Sequence, residues 1–141
     1  MRRLLLPRCL VPAVAAWLLL LTAGCGGLKV VPVSGTALLD GKPLTGFVVT
    51  FNPDKEKGYS GPMDLDCSGR IGPDGSFSLR TDDRFKVYKG APTGWYKVTI
   101  WSPDDKPLPV NKRYTDIKKT DLSIEVVEHP SPGAYDLKFT K

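Results

Sequence analysis

The sequence predicts an all-β domain, a seven-stranded antiparallel β-sandwich, and three observations carry that expectation. Turn-forming Gly, Pro, Asp and Asn recur at short intervals from about residue 30 onward. Between them apolar residues alternate with polar ones, the period of a strand with one buried face. No stretch of this region carries the apolar stripe of an amphipathic helix.

The strands follow in order. Val31, Val33, Ala37 and Leu39 share one parity and end at Asp40-Gly41-Lys42-Pro43. Phe47, Val49 and Phe51 share the face of a second strand, joined to the first by the Asp40-Gly41 turn, where glycine accepts a positive φ. Residues 52–62, rich in Lys, Asp, Gly and Pro, read as an exposed loop. Met63, Leu65, Cys67 and Ile71 then alternate with Asp64, Asp66, Ser68 and Arg70. Pro73-Asp74-Gly75 turns the chain into Phe77 and Leu79, which together predict a hairpin. Residues 81–94 are expected as a loop. The strand from Trp95 to Trp101 points Tyr96, Val98 and Ile100 one way and both tryptophans the other. Leu122, Ile124 and Val126 give the sixth strand, and Tyr135, Leu137 and Phe139 the seventh. Two sheets with these apolar faces turned together would bury them.

Before the domain lies a segment of a different kind. Arg2, Arg3 and Arg8 precede an uncharged run from Leu10 to Ala23, the order of a cleavable secretory signal. The run is shorter than the ~20 residues that cross a bilayer as a helix. Leu21-Thr22-Ala23-Gly24-Cys25 resembles the lipobox of bacterial lipoproteins, departing from it at Thr22. The resemblance implies cleavage before Cys25 and acylation of its sulfur. Several acyl chains anchor stably where one holds weakly. The division expected is residues 1–24 as signal, 25–29 as lipidated tether and 30–141 as the domain. Gly26 follows the cysteine in place of an inner-membrane retention aspartate, so analogy favours the outer membrane, with the domain in the periplasm or at the cell surface.

Charge excludes one class of partner. The whole chain carries +5, but losing the three arginines of the leader leaves 17 basic against 15 acidic residues, a net +2. No basic stripe remains to follow phosphates, and no nucleic acid is expected. With Cys9 removed and Cys25 acylated, Cys67 has no disulfide partner and the core must hold the fold alone.

Val33-Ser34-Gly35-Thr36, Asp40-Gly41-Lys42-Pro43-Leu44, Pro73-Asp74-Gly75-Ser76-Phe77 and Gly94-Trp95-Tyr96-Lys97-Val98 follow one another in a recognisable order. From about Val30 to Phe139 the chain resembles the carboxypeptidase regulatory-like, transthyretin-like domains of small lipoproteins from planctomycete-type bacteria. The resemblance implies a prealbumin-like sandwich that is not an enzyme. Residues 52–62 and 84–89 look particular to this chain.

Asp64 to Ile71 matches the first eight positions of a calcium loop, but Gly75 stands where the closing Glu is needed, and strand alternation explains the same residues. His129, the single histidine, sits in Glu128-His129-Pro130 and reads as a solvated turn; it cannot satisfy a hydroxyisourate hydrolase or an intradiol dioxygenase site. No Gly-x-Ser-x-Gly elbow is present. Lys29, Asp136 and Glu125 are the one set that could form a pilin-type isopeptide bond, yet all lie on polar parity or outside strands. No catalytic residue, metal or cofactor is expected. Trp95 and Trp101 are the candidate ligand contacts, through aromatic stacking on the outer face. The function expected is a membrane-anchored, non-enzymatic structural, adhesion or protein-interaction module. Its partner would be an envelope protein or a glycan, and the alternative is a carbohydrate-binding domain.

Overall fold

The computed structural model describes residues 27–141, so the signal segment and Cys25 lie outside the described residues. Described residues form an all-β structure with one short 3-10 helix, Lys112–Thr115. The strands are β1 (Ser34–Leu39), β2 (Lys42–Pro43), β3 (Val48–Pro53), β4 (Asp66–Arg70), β5 (Ser76–Ser78), β6 (Arg80–Asp82), β7 (Val87–Lys89), β8 (Gly94–Trp101), β9 (Ser123–Val126) and β10 (Leu137–Phe139). A four-stranded sheet runs β10-β1-β2 with β5 also paired to β1, and a six-stranded sheet runs β7-β6-β4-β3-β8-β9. Among the described residues no helix is long and apolar enough to cross a membrane.

The pairing departs from expectation in three places. Asp40-Gly41 closes only the short β1–β2 hairpin, in which Leu39 faces Lys42. Asp40 (φ 48°) and Gly41 (φ 82°) both take the left-handed conformation of a tight two-residue turn. The chain then leaves this sheet, and β3 pairs with β4 and β8. Pro73-Asp74-Gly75 likewise carries the chain between sheets instead of closing a hairpin: β4 pairs with β3 and β6, while β5 pairs with β1. The Asp74 carboxylate stiffens this turn by accepting from Ser76 N (3.0 Å) and Ser76 Oγ (2.6 Å), which hold its pKa below the ordinary value. Finally, β10 lies parallel to β1, so the structure is not wholly antiparallel. Alternation is the same in parallel and antiparallel strands and cannot tell them apart.

The β6–β7 hairpin, from Arg80 to Lys89, spans much of the expected 81–94 loop, and its two strands with β2 make ten instead of seven. Their pattern is hidden because the buried position of β6 is a threonine. Thr81 is fully buried and donates from Oγ1 to the Gly90 carbonyl at 2.6 Å. That bond satisfies a hydroxyl that burial would otherwise penalise.

The two sheets share one core. Ala37, Phe77, Leu137 and Phe139 from one meet Val49, Phe51, Cys67, Tyr96, Val98, Ile100 and Val126 from the other. The Phe51 and Phe77 rings, one from each sheet, have centroids 6.3 Å apart, and the Tyr96 ring stands 5.9 Å from Phe51. Burying each such side chain contributes roughly 1.5–3 kcal/mol.

Strand register sorts the connections into two ends. Pro53 pairs with Tyr96, Asp66 with Asp82, and Gly94 with Val126, so the loops beyond them gather at one end. Lys29 reaches that end, where its Nζ bonds Glu128 Oε1 at 3.0 Å, and Val31 pairs with Ala91 just after β7. The opposite end carries Val48, Trp101 and Arg70, which lie in register.

Candidate functional site

The outer face of the six-stranded sheet is built from the polar parity of five strands. Thr99, Thr50, Ser68, Arg80 and Lys89 form one cross-strand row from β8 to β7. Trp101, Val48 and Arg70 form the next row toward the far end. Asn52 Nδ2 donates to Thr99 Oγ1 and the Lys97 carbonyl, both at 3.0 Å, fixing the middle of the face.

The two tryptophans have different surroundings. Trp95 is half-buried, stands opposite Glu125, and has Lys57 Nζ 4.7 Å from its ring centroid. That cation occupies the ring face a ligand would use. Trp101 is 47% exposed. Six residues of one strand separate them by ~20 Å, so they do not converge on one small ligand.

Trp101 borders a depression lined by Val48, Ser68, Gly69, Arg70, Ser78 and Arg80. The hollow exists because β6 accompanies β4 only from Asp66 to Ser68. Beyond that the chain at Ser78-Leu79 crosses to the other sheet and leaves the Gly69–Arg70 edge open. Gly69 is required there, since a β-carbon would lie 2.5 Å from the Ser78 carbonyl oxygen. A second depression, lined by Pro32, Ser34, Ser78, Leu79, Arg80 and Lys89 among others, adjoins the first through Ser78 and Arg80.

The cations of this surface are weakly neutralised. Arg70 has one loose, exposed pairing, 3.7 Å from Asp104. Arg80 and Lys89 form no ion pair among the described residues, although they face one another in register. No carboxylate, histidine or thiol lines either hollow. An open indole beside guanidinium groups can stack on a flat apolar face and bond an anionic oxygen.

Other sequence candidates are dispersed. Cys67 is fully buried with Sγ 3.3 Å from Thr81 Oγ1, and burial pushes its thiol pKa up, the opposite of an activated nucleophile. Burial also raises the Tyr96 phenol, whose hydroxyl donates to the Pro92 carbonyl at 2.6 Å. Lys29 is engaged by Glu128, Asp136 Oδ1 accepts from Thr36 N at 2.9 Å, and Glu125 is exposed on the outer face. The isopeptide set is therefore not assembled. His129 is exposed. Among the described residues no group of three or more His, Cys, Asp and Glu is arranged to hold a metal ion.

Sequence reasoning found Trp101 but missed Arg70 and Arg80 beside it, and Lys89 next to Arg80. Their polar parity was visible, but their adjacency depends on the pairing of β6 with β4, inside an expected loop. No family model, curated protein or solved structure gives a significant match to the chain.

Proposed function

We propose that this chain is a lipid-anchored envelope lipoprotein whose domain is a prealbumin-like sandwich serving as a non-enzymatic adhesion or assembly module. The signal-like leader ending in Ala23-Gly24-Cys25 supports the anchor. Two sheets about one core, with turns at Asp40-Gly41 and Pro73-Asp74-Gly75, support the sandwich. The outer membrane is the attachment that Gly26 favours, with the domain in the periplasm or at the cell surface. The observation that carries the interaction reading is Trp101, half exposed beside Arg70 and Arg80, with Trp101 and Arg70 at the end of the sheet opposite the loops near Lys29. A domain tethered at one end would present that surface outward. The partner is an envelope protein or a glycan.

A carbohydrate partner is the second reading, and the join of an open indole to cations with few counterions favours an acidic glycan. Full-length acylated protein in detergent can be passed over polygalacturonate and neutral dextran beads. Retention on polygalacturonate that Trp101→Ala and Arg80→Ala abolish, and Trp95→Ala spares, supports the glycan reading. Equal retention of all variants refutes it, and crosslinking through Trp101 to an envelope protein would restore the first.

A further inference from the structure

Exposed large apolar side chains are unevenly distributed. Among the described residues five stand out, and three of them, Met63 (43%), Phe85 (95%) and Val87 (54%), sit at the end of the six-stranded sheet that Lys29 reaches through Glu128. Phe85 is at the tip of the β6–β7 hairpin, and that tip is stiff. Asp82 Oδ1 accepts from Arg84 N at 2.8 Å, and Asp83 Oδ1 accepts from Phe85 N at 3.0 Å and Lys86 N at 2.7 Å. Both acids of the tip are thus turned onto backbone amides. Arg84 Nη2 lies 3.6 Å from Asp64 Oδ2, a loose, exposed pairing that sets the tip beside the loop bearing Met63. The hairpin therefore holds an almost fully hydrated phenyl ring in a defined position, flanked by Arg84 and Lys86.

The tether reaches the same place. A β-carbon on Gly27 would lie 3.8 Å from the hydroxyl of Tyr88, three residues from Phe85. Cys25 precedes Gly27 by two residues, at most about 7 Å of chain.

We infer that this end of the domain is a second lipid contact, in which Phe85 enters the headgroup–acyl boundary of the bilayer that holds Cys25. The inference rests on the lipid anchor proposed above. An aromatic or apolar face at such a boundary sits about 5–10 Å deep, and neighbouring Arg and Lys extend their charges to the headgroups. One ring would bind a membrane weakly from solution. Attached to an anchored chain, its insertion becomes intramolecular, and the weak contact is continuously populated. Met63 and Val87 would rest against the surface beside it. The contact would fix the orientation of the domain and turn the Trp101 surface away from the bilayer.

The test uses the full acylated protein reconstituted into phosphatidylcholine–phosphatidylglycerol vesicles, with and without lipids brominated near the top of the acyl chains. Phe85→Trp adds a fluorophore at the tip, and Lys42→Trp adds one at the opposite end. We expect brominated lipid to quench the added emission of Phe85→Trp and to leave that of Lys42→Trp unchanged. Mass spectrometry of the N-terminal peptide reports the anchor separately. Acylated protein in which both variants are quenched alike, or neither is, overturns the tip contact while leaving the anchor standing. Absence of acyl mass on Cys25 overturns the anchor and the inference with it. Phe85→Ser gives a further check, because loss of the tip should make the exposed loops at that end more accessible to protease on vesicles and leave them unchanged in detergent.

Discussion

Arg80 and Lys89 stand directly opposite each other in the β6–β7 ladder, two cations with no ion-paired carboxylate among the described residues. Directly opposed side chains of a sheet are ~5 Å apart at Cβ, and like charges there are destabilising. Arg80→Glu should convert repulsion into attraction and raise stability by about 0.5–1 kcal/mol. A higher urea midpoint with unchanged slope is the expected result. A midpoint at or below wild type would mean that the two charges do not interact. The same variant should lose retention on acidic polysaccharide, separating stability from binding at one position.

Tyr96 joins the core to the crossover at Pro92. Its ring is fully buried and packs tilted against Phe51 and edge-on against Tyr59, and its hydroxyl donates to the Pro92 carbonyl at 2.6 Å. Tyr96→Phe keeps the ring but leaves a buried carbonyl without its donor, which should cost about 1–3 kcal/mol. Tyr96→Ala removes the ring as well and should cost about 3–5 kcal/mol. Equal denaturation midpoints for the two variants would show that the hydroxyl, not the packing, dominates.

Gly90 has no tolerance for a side chain. Its φ is +117°, and a β-carbon would fall on the Val31 carbonyl oxygen, backbone that also bonds Ala91. Gly90→Ala combines strain with a backbone clash and should cost at least about 2 kcal/mol. Gly41→Ala is the comparison, since Gly41 also has positive φ (82°) but nothing within 4 Å, and strain alone should cost about 1 kcal/mol. If the two variants unfold at the same denaturant concentration, the close approach of residue 31 is not maintained in solution.

These residues also show what alternation can reveal. Parity assigns a face, and the faces it gave to Val49, Phe51, Cys67, Tyr96, Val98, Ile100, Leu137 and Phe139 are buried. Parity does not name a neighbour, because any strand pair in compatible register buries the same set. The chain from Phe77 to Thr81 keeps one alternation while passing from β5 in one sheet to β6 in the other, so no signal in the residues marks the switch. The candidate site inherits the same limit. Trp101 was visible as an aromatic on a polar face, whereas its guanidinium neighbours come from β4 and β6 and required the sheet order. Phe85 lay in a segment with the composition of a loop, and its exposure follows from caps by Asp82 and Asp83 that emerge only with the hairpin.

The last expectation concerns alkaline pH, where three buried groups act in one direction. Burial raises the pKa of Cys67 above its ordinary 9.0, and those of Tyr59 and Tyr96 above 10.0. Below pH 9 the folded and unfolded chains both keep these protons, and the groups add no pH dependence. As pH rises through 9, the unfolded chain gives up the thiol proton while the folded chain retains it, so the unfolded state gains. Above 10 the two phenols add to the effect. Stability should therefore be level from pH 7 to 8 and fall progressively from pH 9 upward, with the loss complete only once the raised folded-state values are passed. Urea midpoints measured across this range check the sign. Cys67→Ala should remove the portion of the fall that begins at pH 9 and leave the portion above 10. The same burial should protect the Cys67 peptide from iodoacetamide in native buffer and expose it in urea. Rapid native alkylation, or a stability that rises between pH 9 and 10, would show that Cys67 is accessible and that its surroundings favour the thiolate.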